Sequence, residues 1–180
     1  MGTDDKKGLV IVFTGDGKGK TTAALGIAFR ALGYNWKIAM IQFIKSSWDY
    51  GELHSAEKFP QNFKIYRKGL GFYKIMGDSI PDERHKIAAK KALLFADELI
   101  KSGKFDMVIL DELNVALLWK LLKVEDVIDV IRGKPERIHL IITGRGAPEE
   151  LIEMADLVTE MEEVKHPLKK GIKAIKGIDF

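Results

Sequence analysis

The residues best suited to chemistry lie in one stretch, Thr14-Gly15-Asp16-Gly17-Lys18-Gly19-Lys20-Thr21, followed at once by Thr22. Glycines there let the backbone pass through positive φ and bring its N–H groups against anionic oxygens. A helix starting at Lys20 adds free N–H donors and the positive end of its dipole. Lys20 supplies a cation to phosphates, and the Thr21 hydroxyl is placed to ligate Mg²⁺. The whole run Gly15, Asp16, Gly17, Lys18, Gly19, Lys20, Thr21 and Thr22 therefore reads as a phosphate loop for ATP. One position departs from the pattern G-x-x-x-x-G-K-[ST]: Thr14 stands where its first glycine belongs. The competing reading is a Gly-rich turn between a strand and a helix with no ligand.

Two further stretches carry candidate chemistry. Met107-Val108-Ile109-Leu110-Asp111-Glu112 is an apolar strand ending in acids, the Walker B arrangement. Asp111 and Glu112 would offer a carboxylate to the metal on Thr21; an ordinary acidic turn is the alternative. Ile142-Thr143-Gly144-Arg145-Gly146 ends another expected strand. Ligands of open α/β sheets gather beyond the carboxyl ends of the strands. Arg145 is thus a candidate for a phosphate, for a subunit contact, or for an exposed turn.

These residues need elements to position them. Short apolar runs occur at residues 9–13, 38–44 (interrupted by Gln42), 107–110 and 138–142 (interrupted by His139). Continuous rather than alternating hydrophobicity predicts strands covered on both faces. Helical patterns lie between them. Residues 20–32 are Ala- and Leu-rich and stop at Gly33; Pro81 opens a long segment ending before Gly103. Residues 124–132 place Val127, Ile128 and Ile131 on one face, and Pro148 opens a further helix. Strands alternating with helices predict an α/β fold with a mostly parallel central sheet. Residues 45–78, with glycines and aromatics among charges, read as the least regular part and as a substrate-side loop.

Composition narrows the classes. At 180 residues the chain suits one domain spanning residues 1–180. A net charge of +3, with Lys and Arg dispersed, argues against a nucleic-acid partner. The absence of cysteine excludes disulfides, thiolate nucleophiles and sulfur-bound zinc, and it fits a reducing compartment. No apolar run approaches the roughly 20 residues of a membrane span, and the polar start lacks a signal-peptide pattern. A soluble, cytoplasmic protein is expected.

The motifs together resemble the phosphate-loop ATP:corrinoid adenosyltransferases, also called cob(I)alamin or cob(I)yrinic acid a,c-diamide adenosyltransferases. The resemblance runs from about Leu9 to Phe180. It is carried by Val12 through Ala24, Gln42-Phe43-Ile44-Lys45, Gly71-Phe72, Leu110-Asp111-Glu112-Leu113-Asn114 and Ile142 through Gly146. Ala155 through Met161, Val164-Lys165-His166-Pro167 and the closing Gly177-Ile178-Asp179 complete it. It implies a three-layer P-loop NTPase fold of the RecA-like type and a homodimer. It implies transfer of the 5′-deoxyadenosyl group of ATP to Co(I) of a corrinoid with release of triphosphate. A flavoprotein would reduce Co(II) beforehand. The resemblance also brings Lys165 and His166 into the binding set, and lets Phe72 pack on the corrinoid and keep its lower axial ligand off cobalt. Many relatives read Gly-Phe-Thr-Trp where this chain has Gly71-Phe72-Tyr73-Lys74. Relatives often carry an N-terminal extension that folds over the corrinoid, whereas about eight residues precede the first strand here.

The chemistry agrees with the absence of any evident catalytic triad. Co(I) is already nucleophilic and carries no proton, so the reaction needs placement and leaving-group stabilisation rather than a base. His54 and His85 read as loop or exposed-helix residues, and His139 as a strand residue. His166 before Pro167 reads equally as a turn. Asp82 and Glu83 suit the positive end of their helix. Residues 113–122, with Trp119, read as core or dimer packing. The competing functions are a small nucleoside or nucleotide kinase and a RecA-like ATPase module.

Overall fold

A computed structural model describes residues 7–46, 48–71, 73–74 and 78–180. Six parallel strands form one sheet in the order β3-β2-β4-β5-β1-β6. They are β1 (Val10–Thr14), β2 (Ile38–Gln42), β3 (Phe63–Arg67), β4 (Met107–Asp111), β5 (His139–Thr143) and β6 (Leu157–Glu160). The four apolar runs of the sequence become β1, β2, β4 and β5, and these supply the centre of the sheet. Their side chains alternate between two cores because successive Cβ atoms point to opposite faces. Val12, Ile41, Leu110 and Ile142 face one side; Phe13, Met40, Ile109 and Ile141 face the other.

Helices α1 (Lys20–Leu32) and α2 (Gly51–Ala56) cover the second face through Ala24, Ala28, Ala31 and Ala56. Helices α3 (Asp82–Lys101), α4 (Leu113–Leu118), α5 (Val124–Arg132) and α6 (Glu149–Met154) cover the first. Helices α1 and α5 have the bounds read from the sequence. Small alanines on α1 let that helix lie close to the strands and fix the height of its N-terminus against the sheet. Residues 113–122 pack as read, with Leu113, Ala116, Leu121 and Leu122 in the core.

Two expectations need correction, and two strands were not anticipated. The segment 45–78 is not wholly irregular, since it contains α2 and β3. Edge strand β3 carries Lys64 and Arg67 exposed beside the more covered Phe63, Ile65 and Tyr66, so it does not form a continuous apolar run. Strand β6 is exposed along its length and only four residues long, so no apolar run marks it. His85 is not on an exposed face: it is 4% exposed, with Asp78 at 3.1 Å and the Tyr73 ring at 5.0 Å. No helix among the described residues is long and apolar enough to cross a membrane.

Candidate active site

All six strands point their carboxyl ends the same way, so the segments after β1, β2, β4 and β5 meet along one edge. The phosphate loop leaves β1 at Thr14. The Thr14 hydroxyl accepts the Ala147 N–H (3.1 Å), and its carbonyl accepts the Met161 N–H (2.9 Å). Thr14, the departure from the usual glycine, thereby ties the loop to two neighbouring strand exits. Gly17 N–H donates to the Met161 carbonyl at 2.7 Å. Gly15 has φ +90°, and a Cβ there would come within 2.5 Å of the Met161 oxygen. A left-handed turn pressed against another backbone demands glycine.

Helix α1 starts at Lys20 after a left-handed Gly19, and its first turn carries no acidic side chain. Its free N–H groups therefore face the cleft without a competing carboxylate on that turn. Lys20 is 8% exposed. Its ammonium folds back onto the Gly15 carbonyl (2.7 Å) and the Gly17 carbonyl (2.5 Å). Burial pulls its pKa down, with the Glu112 charge working in the opposite sense and Arg145 adding to the fall. A triphosphate would replace those two carbonyls with a full counter-charge.

Asp111, fully buried at the end of β4, is the hub of the site. Its Oδ1 accepts the Thr21 hydroxyl (2.7 Å) and the Thr143 hydroxyl (2.9 Å). Its Oδ2 faces the Lys45 ammonium at 3.3 Å. Lys45 also reaches Glu52 Oε1 at 2.8 Å. Burial alone would lower the Lys45 pKa, but the charges of Asp111 and Glu52 outweigh it and hold the pKa well above the usual lysine value. Glu112 takes a left-handed conformation (φ 61°) and donates its N–H to the Thr143 hydroxyl at 3.0 Å. Burial and then the neighbouring Asp111 charge push its carboxyl above the ordinary range.

Lys20, Thr21, Lys45, Glu52 and Glu112 line a cleft of about 950 Å³, while Asp111 and Thr143 are buried outside its lining. Residues Gly17 to Thr22, Lys45, Glu112 and Arg145 make its polar part; Leu25, Phe29, Phe59 and Trp119 belong to its apolar part. Arg145 lines the cleft, 3.9 Å from Asp16, with its side chain about half exposed. Asp16 is largely exposed, and Lys18 pairs with Asp179 of the C-terminal segment, whose residues Gly177 to Phe180 border the cleft. Lys165 and His166 are not among the residues lining it. The His166 ring instead accepts the Leu168 N–H (3.1 Å) and caps a single 3-10 turn, Pro167–Lys170. Phe72 lies outside the described residues. Lys45, Glu52 and Thr143 were given no role from the sequence. Their signal was position, since Lys45 closely follows the end of β2 and Thr143 ends β5.

With this geometry in place, comparison with known proteins becomes informative. The profile of the ATP:corrinoid adenosyltransferase family BtuR/CobO/CobP matches residues 6–180. The chain belongs to that family. Among curated relatives, a corrinoid adenosyltransferase of Sinorhizobium sp. is 44% identical over 98% of this chain and 82% of its own length. A corrinoid adenosyltransferase of Escherichia coli K12 is 38% identical over 98% and 87%. For this adenosyltransferase-family chain, solved structures extend the likeness to fold alone. The flagellar accessory protein FlaH of Methanocaldococcus jannaschii superposes with TM-score 0.57 at 11% identity, covering 86% of this chain and 71% of its own. The KaiC-like protein PH0186 of Pyrococcus horikoshii gives 0.56 at 17%, covering 89% and 75%. The family member has the three-layer, RecA-like P-loop NTPase fold.

Proposed function

We propose that the chain transfers the 5′-deoxyadenosyl group of ATP to Co(I) of a corrinoid, either cobalamin or cob(I)yrinic acid a,c-diamide. The observation that carries this reading is one cleft that sets Lys20 and Thr21, the latter bonded to the buried Asp111, beside an apolar wall, in a chain of this family. The Co(I) electron pair attacks C5′, the Co–C bond forms, and the C5′–O bond breaks with its pair leaving on triphosphate. No proton is taken from the nucleophile, so no general base is required. The loop amides and Lys20 hold the leaving triphosphate and stabilise its growing charge. Leu25, Phe29, Phe59 and Trp119 supply apolar surface beside that site and exclude water from it.

The residues present fit Mg²⁺. Thr21 and Asp111 offer hard oxygen donors, and the buried amide oxygen of Gln42 has no hydrogen-bond partner among the described residues. A phosphate-site Mg²⁺ takes one or two protein oxygens and fills its other positions from phosphates and water. When bound, it would neutralise charge on the triphosphate. Thr21 and Asp111 would hold it, with Glu112 beside them. A cytoplasmic homodimer served by a reducing flavoprotein completes the reading.

The test is incubation with Mg-ATP and chemically reduced cob(I)alamin, following the absorption spectrum and the phosphate product. Adenosylcobalamin and triphosphate are expected. ADP with an unchanged corrinoid would overturn the assignment in favour of a kinase or ATPase.

A further inference from the structure

Lys45 holds a place that the phosphate loop does not account for. It stands beyond the end of β2, and its side chain is 16% exposed at the cleft. Its ammonium lies between Glu52 Oε1 (2.8 Å) and Asp111 Oδ2 (3.3 Å), 4.7 Å above the Tyr50 ring. The Glu52 side chain is 10% exposed and Asp111 is not exposed at all. A carboxylate that deep requires a positive partner. Lys20 is not that partner, because its ammonium is spent on the Gly15 and Gly17 carbonyls. On the Oδ1 side Asp111 meets only hydroxyls, from Thr21 and Thr143. The charge of Asp111 is balanced through Oδ2, by Lys45.

We propose that Lys45 is a second cationic residue of the triphosphate site: it neutralises Asp111 as long as no divalent cation holds that carboxylate, and turns to the triphosphate when one does. The inference rests on the reading that this cleft takes Mg-ATP. A lysine suits the exchange, since its ammonium is a point charge on a flexible stem. Glu52, on α2, stays beside it throughout, so the ammonium is never left without a counter-charge. Thr21 reaches Asp111 from the opposite side, which leaves both charge partners room to reorganise around one carboxylate.

The consequence is a particular dependence of ATP binding on metal, measurable by calorimetry without corrinoid or turnover. Lys45→Met alone leaves Asp111 and Glu52 uncompensated and can fail to fold. The pair Lys45→Met/Glu52→Gln, which leaves the net charge of the three groups as it was, is therefore compared with Glu52→Gln, after circular dichroism confirms the fold of each. Glu52→Gln is the reference against which the other variants are read. The double variant is expected to lose about tenfold in affinity for Mg-ATP, as befits one fixed charge removed from a partly buried site, and less for metal-free ATP, where Lys45 is held on Asp111. It should therefore gain less affinity on adding Mg²⁺ than Glu52→Gln does, because no ammonium is released to the triphosphate. Lys45→Arg keeps the charge and should keep the affinity for Mg-ATP. Equal losses with and without Mg²⁺, or no loss, would overturn the inference, as would a Lys45→Arg protein as weak as the double variant. A wild-type protein that binds no ATP under either condition would instead overturn the nucleotide reading.

Discussion

The Thr21 hydroxyl donates to Asp111 Oδ1 at 2.7 Å, across 90 positions of sequence. One residue comes from the first turn of α1 and the other from the last position of β4. The contact joins the phosphate loop to the end of β4. It leaves the two oxygen donors converged on the place where the proposed Mg²⁺ would stand.

Asp111→Asn keeps the shape of that hub and removes its charge. Adenosylation should fall by about a hundredfold or more, the scale of losing one preorganised electrostatic contact. Its response to Mg²⁺ concentration should flatten. Thr21→Ala should behave similarly, and Thr21→Ser should stay near wild type. Initial rates across a magnesium series check all three; an Asp111→Asn protein with the wild-type magnesium response would refute the role.

Lys20→Ala removes the cation proposed to face the triphosphate. Turnover should drop by about a thousandfold, on the scale of losing a charge clamp on a leaving phosphate. The fold should persist, because β1 and α1 are held by strand pairing and apolar packing that do not pass through Lys20. Single-turnover kinetics and far-ultraviolet circular dichroism together decide it.

Two glycines near each other should respond with opposite sign. At Gly17 a Cβ would sit 2.6 Å from the Glu162 carbonyl oxygen, so Gly17→Ala must push two backbones apart. A cost of about 1–3 kcal/mol and weaker ATP binding are expected. At Gly26, inside α1, a Cβ meets nothing within 4 Å. Gly26→Ala should stabilise by roughly 0.5–1 kcal/mol through helix propensity. Urea unfolding of both variants measures the pair.

His139 makes stability depend on pH near neutrality. Its ring stacks on Trp36 at 5.0 Å and Nδ1 accepts the Leu9 N–H. Burial, then the Lys134 charge, lowers its pKa below the ordinary value of 6.5, against a smaller opposing effect of Asp106. The unfolded chain thus takes up this proton first. The contribution is complete above pH 6.5 and is lost as pH falls toward the folded value. His139→Gln should remove that slope between pH 7 and 5; an unchanged slope would exclude His139 as its source.

Asp78 acts further down the pH scale. The Lys74 and Ile80 N–H groups, then the His85 ring, hold its carboxyl below the usual 3.8. Its contribution is therefore present above that value and lost as pH falls through the folded one. Asp78→Asn should be less stable than wild type at neutral pH, with the difference closing in acid. Parallel acid titrations followed by Trp fluorescence test this.

Much of the molecule was legible before any coordinates. The phosphate loop was readable because strand, glycines, Lys-Thr and helix are neighbours in the chain, and local backbone conformation imposes their residue types. Helices α1 and α5 could be bounded because periodicity and terminal glycines are local signals as well. Strands β3 and β6 could not, since an edge strand owes its place to one neighbour rather than to its own apolar content. The burial of His85 depended on how the chain around Asp78 returns to α3.

The sequence alone showed where a phosphate loop would lie, between β1 and α1, and from which residues it is built. Only the tertiary structure decided what surrounds that place. Parallel order put the ends of β1, β2, β4 and β5 side by side, which brought Asp111 to Thr21 and Thr143. The same packing set Lys45 against a carboxylate too deeply buried to stand alone. Such pairings follow from strand order and desolvation, and residue spacing along the chain carries neither.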